Sequence, residues 1–182
     1  MRPFFIKFSF LKFPEMKKAF FIVIILLCQV GSKAQDRFVI NAGIENQFPV
    51  QNFKGFYNDG LGASLNAEYK ISKRFSTLIT PQYVLYFYNI KSLQLSGTTD
   101  FVSIFSGFKY HILKNIYLVA QAGISRKLVK NSQETAFAYT GGAGMDISKK
   151  ITAAVKYENI HANTSAPQTI SLRLGYNLWG KN

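Results

Sequence analysis

Little in this 182-residue chain is equipped for covalent or redox chemistry. Its two histidines, His111 and His161, stand too far apart in sequence to suggest a shared metal, and its one cysteine is Cys28. His161 lies between Glu158 and Ser165, the ingredients of a hydrolytic site, but no compact His–Ser motif accompanies them. The ionisable residues that do form a pattern are Glu45, Glu68, Asp146 and Glu158 with Lys70, Lys109, Lys156 and Arg173. Four acids matched by four bases suit ion pairing rather than catalysis. Neither a metal nor an organic cofactor is expected.

The elements that must position these charges are strands. Residues 35–182 carry no convincing helical period; they contain eight runs in which apolar and polar residues alternate. In the second run Leu61, Ala63, Leu65, Ala67, Tyr69 and Ile71 share one face, opposite Gly62, Ser64, Asn66, Glu68, Lys70 and Ser72. The last run is nearly as clean, with Ile170, Leu172, Leu174, Tyr176 and Leu178 opposing Thr169, Ser171, Arg173, Gly175 and Asn177. Each run has about the ~9–11 residues of a tilted membrane-spanning strand. Ile71-Ser72-Lys73-Arg74-Phe75, Ile112-Leu113-Lys114-Asn115-Ile116 and Ile147-Ser148-Lys149-Lys150-Ile151 are versions of one tight basic turn. Longer polar connections are expected near 48–59, 89–99, 131–136 and 162–167. Short turns alternating with longer loops predict an all-β, eight-stranded antiparallel up-and-down transmembrane β-barrel, with its termini and short turns on the periplasmic side.

Alternation by itself also fits a secreted, soluble lipocalin-like barrel, whose interior is the apolar face. Glycine placement separates the two. Gly43, Gly62, Gly107, Gly123, Gly142, Gly144 and Gly175 all share the polar parity, and the inward face of a tightly curved barrel is where crowding calls for glycine. The eight charges share it too, so a lumen closed by salt bridges is expected. Arg173 lies nearest mid-depth, with Glu158 and Glu45 as its best partners, while Lys70 and Asp146 beside the short turns are expected to sit unpaired at solvated rims. Aromatics collect at strand ends, among them Tyr86 and Phe101 on the long-loop side and Tyr117 on the other, as in a headgroup girdle. Arg126, Lys127 and Lys130 end the fifth strand on the long-loop side, where basic groups could meet lipopolysaccharide phosphates. Pro81 interrupts the third strand, and a bulge at Thr80–Pro81 is expected to accommodate it.

The amino terminus reads as an address. Lys17 and Lys18 precede an apolar run from Ala19 to Cys28, and Ser32-Lys33-Ala34 supplies the small residues of a cleavage site, so residues 1–34 are a predicted signal peptide. The run is too short for a spanning helix. Met16 reads as the natural start, and residues 1–15 as an over-extended one. Cleavage after Ala34 would remove the only cysteine, leaving the barrel, residues 35–182, without thiol chemistry.

Composition excludes other classes. Charged residues make up 17% of the chain against 15% aromatics, too little charge to coat a water-facing surface of this size. The net charge is +13, but residues 1–34 hold six of the basic residues and one acid, and the rest are spread through turns and alternating positions. No arm or helix concentrates them as a nucleic-acid-binding protein requires, so no nucleic-acid partner is expected.

Signal peptide, alternating strands, basic short turns and a terminal strand carrying Tyr176 and Trp179 together resemble the small outer-membrane barrel family, the OmpA/OmpX-like and porin-family β-barrel domains. The resemblance spans roughly residues 36–182. It departs at the end, where Gly180-Lys181-Asn182 follows the last aromatic. It implies a bacterial outer-membrane location, insertion by the barrel-assembly machinery, a monomer among membrane lipids, and a structural or surface-binding role in the envelope. Two further readings come with it: a small-solute channel, which a narrow charge-balanced lumen disfavours, and a lipid A-modifying enzyme. The latter would need His161 or His111 beside a serine or an acid, and the missing motif argues against it. Amino-terminal sequencing of the mature protein is expected to begin at Gln35, and a precursor peptide covering Phe4–Phe13 would refute the start at Met16.

Overall fold

The computed structural model describes residues 37–50, 57–90, 95–129, 132–161 and 168–180. The predicted signal peptide, residues 1–34, lies outside them, as do Lys130 and Ser165. Among the described residues, eight strands run β1 (Phe38–Pro49), β2 (Gly60–Lys70), β3 (Phe75–Ile90), β4 (Leu95–His111), β5 (Ile116–Val129), β6 (Ser132–Asp146), β7 (Ile151–His161) and β8 (Gln168–Trp179). Each pairs antiparallel with its sequence neighbour, and β1 also pairs with β8, so the sheet closes on itself. A closed barrel has no edge, and that is what lets strands cross a lipid bilayer with every backbone amide satisfied.

The alternation decides which way each side chain points. Ile44, Leu61, Ile79, Ile104, Phe108, Ile124, Val155 and Leu174 face outward and are exposed, while Glu45, Ser64, Thr80, Ser103, Ser125, Lys156 and Arg173 are buried inside. This is the reverse of a soluble barrel, and the lipocalin-like alternative falls with it. The two basic turns with serine are built alike. Ser72 Oγ accepts from the amides of Arg74 (3.3 Å) and Phe75 (3.1 Å), and Ser148 Oγ accepts from those of Lys150 (3.3 Å) and Ile151 (3.1 Å). The serine side chain thereby satisfies amides that the tight turn leaves unpaired. Gly107 and Gly123 mark where β4 and β5 press together. A Cβ at Gly107 would lie 2.6 Å from Cα of Gln121, and one at Gly123 2.8 Å from Cα of Phe105, so only glycine fits either position.

Three expectations need correction. The connections expected near 89–99 and 131–136 are largely strand: β3 and β4 pair out to Ile90 and Leu95, and β5 and β6 out to Val129 and Ser132. The hydropathy alternation fades there, but the hydrogen-bond ladder does not need it. Pro81 requires no bulge. It points outward, β3 stays in register with β4 through it (Pro81 opposite Ile104), and the β2–β3 pairing lapses only between Ser64 and Ala67, resuming in the same register. A proline in a closed sheet costs one ladder bond; here Thr80 Oγ1 donates to Asn66 Oδ1 at 2.9 Å across the gap. The irregularity lies instead at the β1–β8 seam, between Ile40 and Asn41. Gly180, at φ 82°, packs where a side chain would strike the Phe38 carbonyl, which explains why a glycine follows the last aromatic. Finally, Tyr86, Phe101 and Tyr117 do not join an outer girdle but turn into the lumen and are buried. In Leu85-Tyr86-Phe87-Tyr88 every residue is apolar or aromatic, so nothing in the run itself reports parity.

Ile104 is half exposed on the outer wall near mid-depth. Replacing it with arginine is expected to destabilise the folded barrel in lipid by about 2–4 kcal/mol, read from urea unfolding in vesicles. In a soluble barrel the same change would be close to neutral.

Candidate functional site: the charged lumen

The inward residues stack into layers along the barrel axis. Nearest the short turns, His111 at the end of β4 reaches Asp146 at the end of β6 (Nε2 to Oδ2, 3.3 Å). One step up, Lys109 pairs with Glu68 at 3.0 Å and lies over the Tyr117 ring, 4.2 Å from its centre. At mid-depth Glu45 is the hub. It is 2% exposed, with Lys156 Nζ 3.1 Å from each of its oxygens and Arg173 Nε 3.4 Å from Oε1. Ser64 Oγ donates to the same Oε1 at 2.6 Å, and Gln82 Nε2 donates to Oε2 at 2.8 Å. Arg173 in turn donates from Nε to Ser64 Oγ (2.9 Å) and from Nη2 to the Asn41 carbonyl (3.3 Å). Five strands, β1, β2, β3, β7 and β8, thus converge on one carboxylate.

Space for the guanidinium comes from two glycines flanking it across the β1–β8 seam. A Cβ at Gly43 would fall 2.6 Å from Arg173 Cζ, and one at Gly175 would fall 2.5 Å from Nη1. Because Gly43 pairs with Gly175 and Glu45 with Arg173, a bulky cation is aligned with two vacancies by register alone. Above the hub, Gln47 donates to Glu158 Oε2 at 3.5 Å and accepts from the Tyr86 hydroxyl and from Thr169 Oγ1 (3.1 Å). The long-loop end is then filled by apolar groups: Val84, Tyr86, Phe101, Phe105, Ala136, Ala138 and Ile160, with Tyr57 packed against them. Tyr86 meets Phe101 edge to face at 5.5 Å and Tyr57 at 5.9 Å.

Some expected groupings therefore form differently. Arg173 takes Glu45 but not Glu158, which sits one layer higher with Gln47. Asp146 is not an unpaired rim residue, since His111 faces it, and Lys70 is likewise not free of partners. Strand tilt brings distant strands to a common depth, an offset that linear distance from a turn does not capture. His161 points outward from β7 while Glu158 points inward, so the two do not converge. Arg126 is exposed on the outer parity and Lys127 is half-buried on the inner one. Sequence reasoning overlooked Ser64, Gln82, Asn41 and Gln47; their signal was uncharged polarity on the inward parity, level with the charges.

Removing one partner of a buried ion pair strands the other in a site that cannot hydrate it, at about 3–5 kcal/mol. Arg173→Ala is expected to lose on this order, seen as a lowered urea midpoint by heat-modifiable gel migration. Lys149→Ala, in an exposed turn, should stay within about 0.5 kcal/mol of the parent.

No family model matches the sequence, and no curated protein matches it. Solved structures do. The attachment invasion locus protein Ail of Yersinia pestis, in complex with the heparin analogue sucrose octasulfate, is 15% identical with a TM-score of 0.57, covering 78% of this chain and 98% of its own. The N-terminal β-barrel domain of OprF from Pseudomonas aeruginosa is 11% identical with a TM-score of 0.52, covering 77% and 97%. Neisserial surface protein A is 17% identical with a TM-score of 0.51, covering 77% and 94%. At these identities the likeness is one of fold, and it agrees with the outward apolar wall: the chain has the fold of the small eight-stranded transmembrane β-barrels.

Proposed function

We propose that this protein is a non-conducting, non-enzymatic barrel of the outer membrane that serves as an envelope scaffold and binds ligands at its outer end. The observation that carries the first half is Glu45, buried at mid-lumen with two cations and two hydrogen-bond donors on its two oxygens, beneath an apolar layer built on Tyr86, Phe101 and Phe105. A hydrated ion would have to pass both an ion-paired layer and a dry one. Eight strands leave an interior just wide enough for side chains, which supports the same reading. The outward direction of His161, away from Glu158, supports a role without catalysis.

Binding at the outer end rests on the strands that outrun the others. β3 and β4 have 16 and 17 residues and β5 and β6 have 14 and 15, against 11 or 12 elsewhere. Two hairpins thus rise beyond the level at which the other strands end. Arg126 on the outside of β5 has a phosphate-matching fork at lipid-headgroup level, with Lys127 and Lys130 beside it in sequence. Lipopolysaccharide is the partner this chemistry suits. The Ail structure with a sulfated heparin analogue shows that a barrel of this fold can carry a polyanion site.

The purified protein is expected to give no resolved conductance steps in planar bilayers, and the triple variant Arg126→Gln, Lys127→Gln, Lys130→Gln to retain less lipopolysaccharide than the parent. Steady open-channel currents would refute the closed lumen, and equal retention would refute the basic site.

A further inference from the structure

The periplasmic rim carries charge that the lumen does not use. Lys73 and Arg74 in the β2–β3 turn, Lys114 in the β4–β5 turn, and Lys149 and Lys150 in the β6–β7 turn are all exposed. Among the described residues none of these five forms an ion pair, and Asp146, the acid closest to them, already faces His111. Each turn also bears a large outward apolar residue directly before its polar pair: Ile71 is 53% exposed, Leu113 61% and Ile147 55%. Beside them, Phe75 stacks on Phe108 with ring centres 5.2 Å apart, and Lys150 lies over the Tyr176 ring. Cations that follow exposed isoleucine or leucine within one to three residues, about 3–10 Å of chain, stand at headgroup depth rather than in open periplasm.

Between the β2–β3 and β4–β5 turns lies a crevice of about 600 Å³ whose lining includes Lys70, Lys73, Arg74, Lys114, Ile112 and Leu113, with one carboxylate, Asp146, on its wall turned to His111. Its polar side offers three unpaired cations, and its outer lip is apolar. We propose that this crevice binds the phosphate of an anionic phospholipid of the inner leaflet, with the acyl chains passing over Ile112 and Leu113 onto the Phe75–Phe108 wall. A free phosphate would use the cations but leave the apolar lip unemployed. A carboxylate-bearing wall polymer would have no reason to sit beside exposed isoleucines. A surface that joins both chemistries fits a lipid, and clustered basic residues at a membrane boundary are the usual means of selecting an anionic one.

The test uses the full-length mature barrel in detergent, with native mass spectrometry of retained lipid. Phosphatidylglycerol should be retained over phosphatidylethanolamine. The variant Lys73→Gln, Arg74→Gln, Lys114→Gln should lose that preference, at roughly fivefold per cation and on the order of 100-fold in all. Heat-modifiable migration confirms that the variant is folded, and His161→Gln, exposed at the opposite end of the barrel, should retain phosphatidylglycerol like the parent. Equal retention of the two lipids, an unchanged preference in the folded triple variant, or displacement of the lipid by glycerophosphoglycerol or by soluble peptidoglycan fragments at comparable concentration would overturn the proposal.

Discussion

A peptide backbone in hydrocarbon has no water to bond with, and each amide left open costs several kcal/mol. The pairing of β1 with β8 is therefore the interaction on which the rest of the molecule depends: without that seam the same eight strands would be a sheet with two exposed edges. The seam is also where the chain departs most from regularity. It shifts register between Ile40 and Asn41, and it ends on Gly180 in a left-handed conformation against the Phe38 carbonyl. Closing the ring joins the first and last strands, so their local geometry has to absorb whatever mismatch the other pairings accumulate.

Closure at eight strands makes the interior narrow, and narrowness governs its chemistry. Glycines are spent where strands approach one another, as at Gly107 and Gly123, or where a long side chain must pass, as at Gly43 and Gly175 beside Arg173. Charges can be kept inside only as a satisfied network. Glu45 illustrates this, since its two oxygens take contacts from Arg173, Lys156, Ser64 and Gln82, each from a different strand. Such a hub ties opposite walls of the barrel together.

The two ends face different surroundings and are built differently. At the long-loop end the paired strands β3–β4 and β5–β6 run on past the other strands, and the lumen beneath them is capped by aromatics. At the other end the turns are short, and in two of them a serine caps the turn's own amides.

The sequence by itself determined the strand number, the inside-outside assignment and the positions of the short turns, because a period of two survives wherever one face meets lipid and the other meets polar neighbours. Glycines on the polar parity were legible for the same reason. Where that contrast vanished, so did the signal: Leu85-Tyr86-Phe87-Tyr88 did not reveal that Tyr86 points inward, and the upper parts of β4 and β6 read as loop. Only the tertiary structure decided which acid meets which base. Glu45 takes both Arg173 and Lys156, Glu158 meets Gln47 and Gln82 rather than Arg173, and His111 faces Asp146, because strand tilt and stagger set relative depth around a closed barrel. That offset belongs to the ring as a whole, and no single strand carries a record of it.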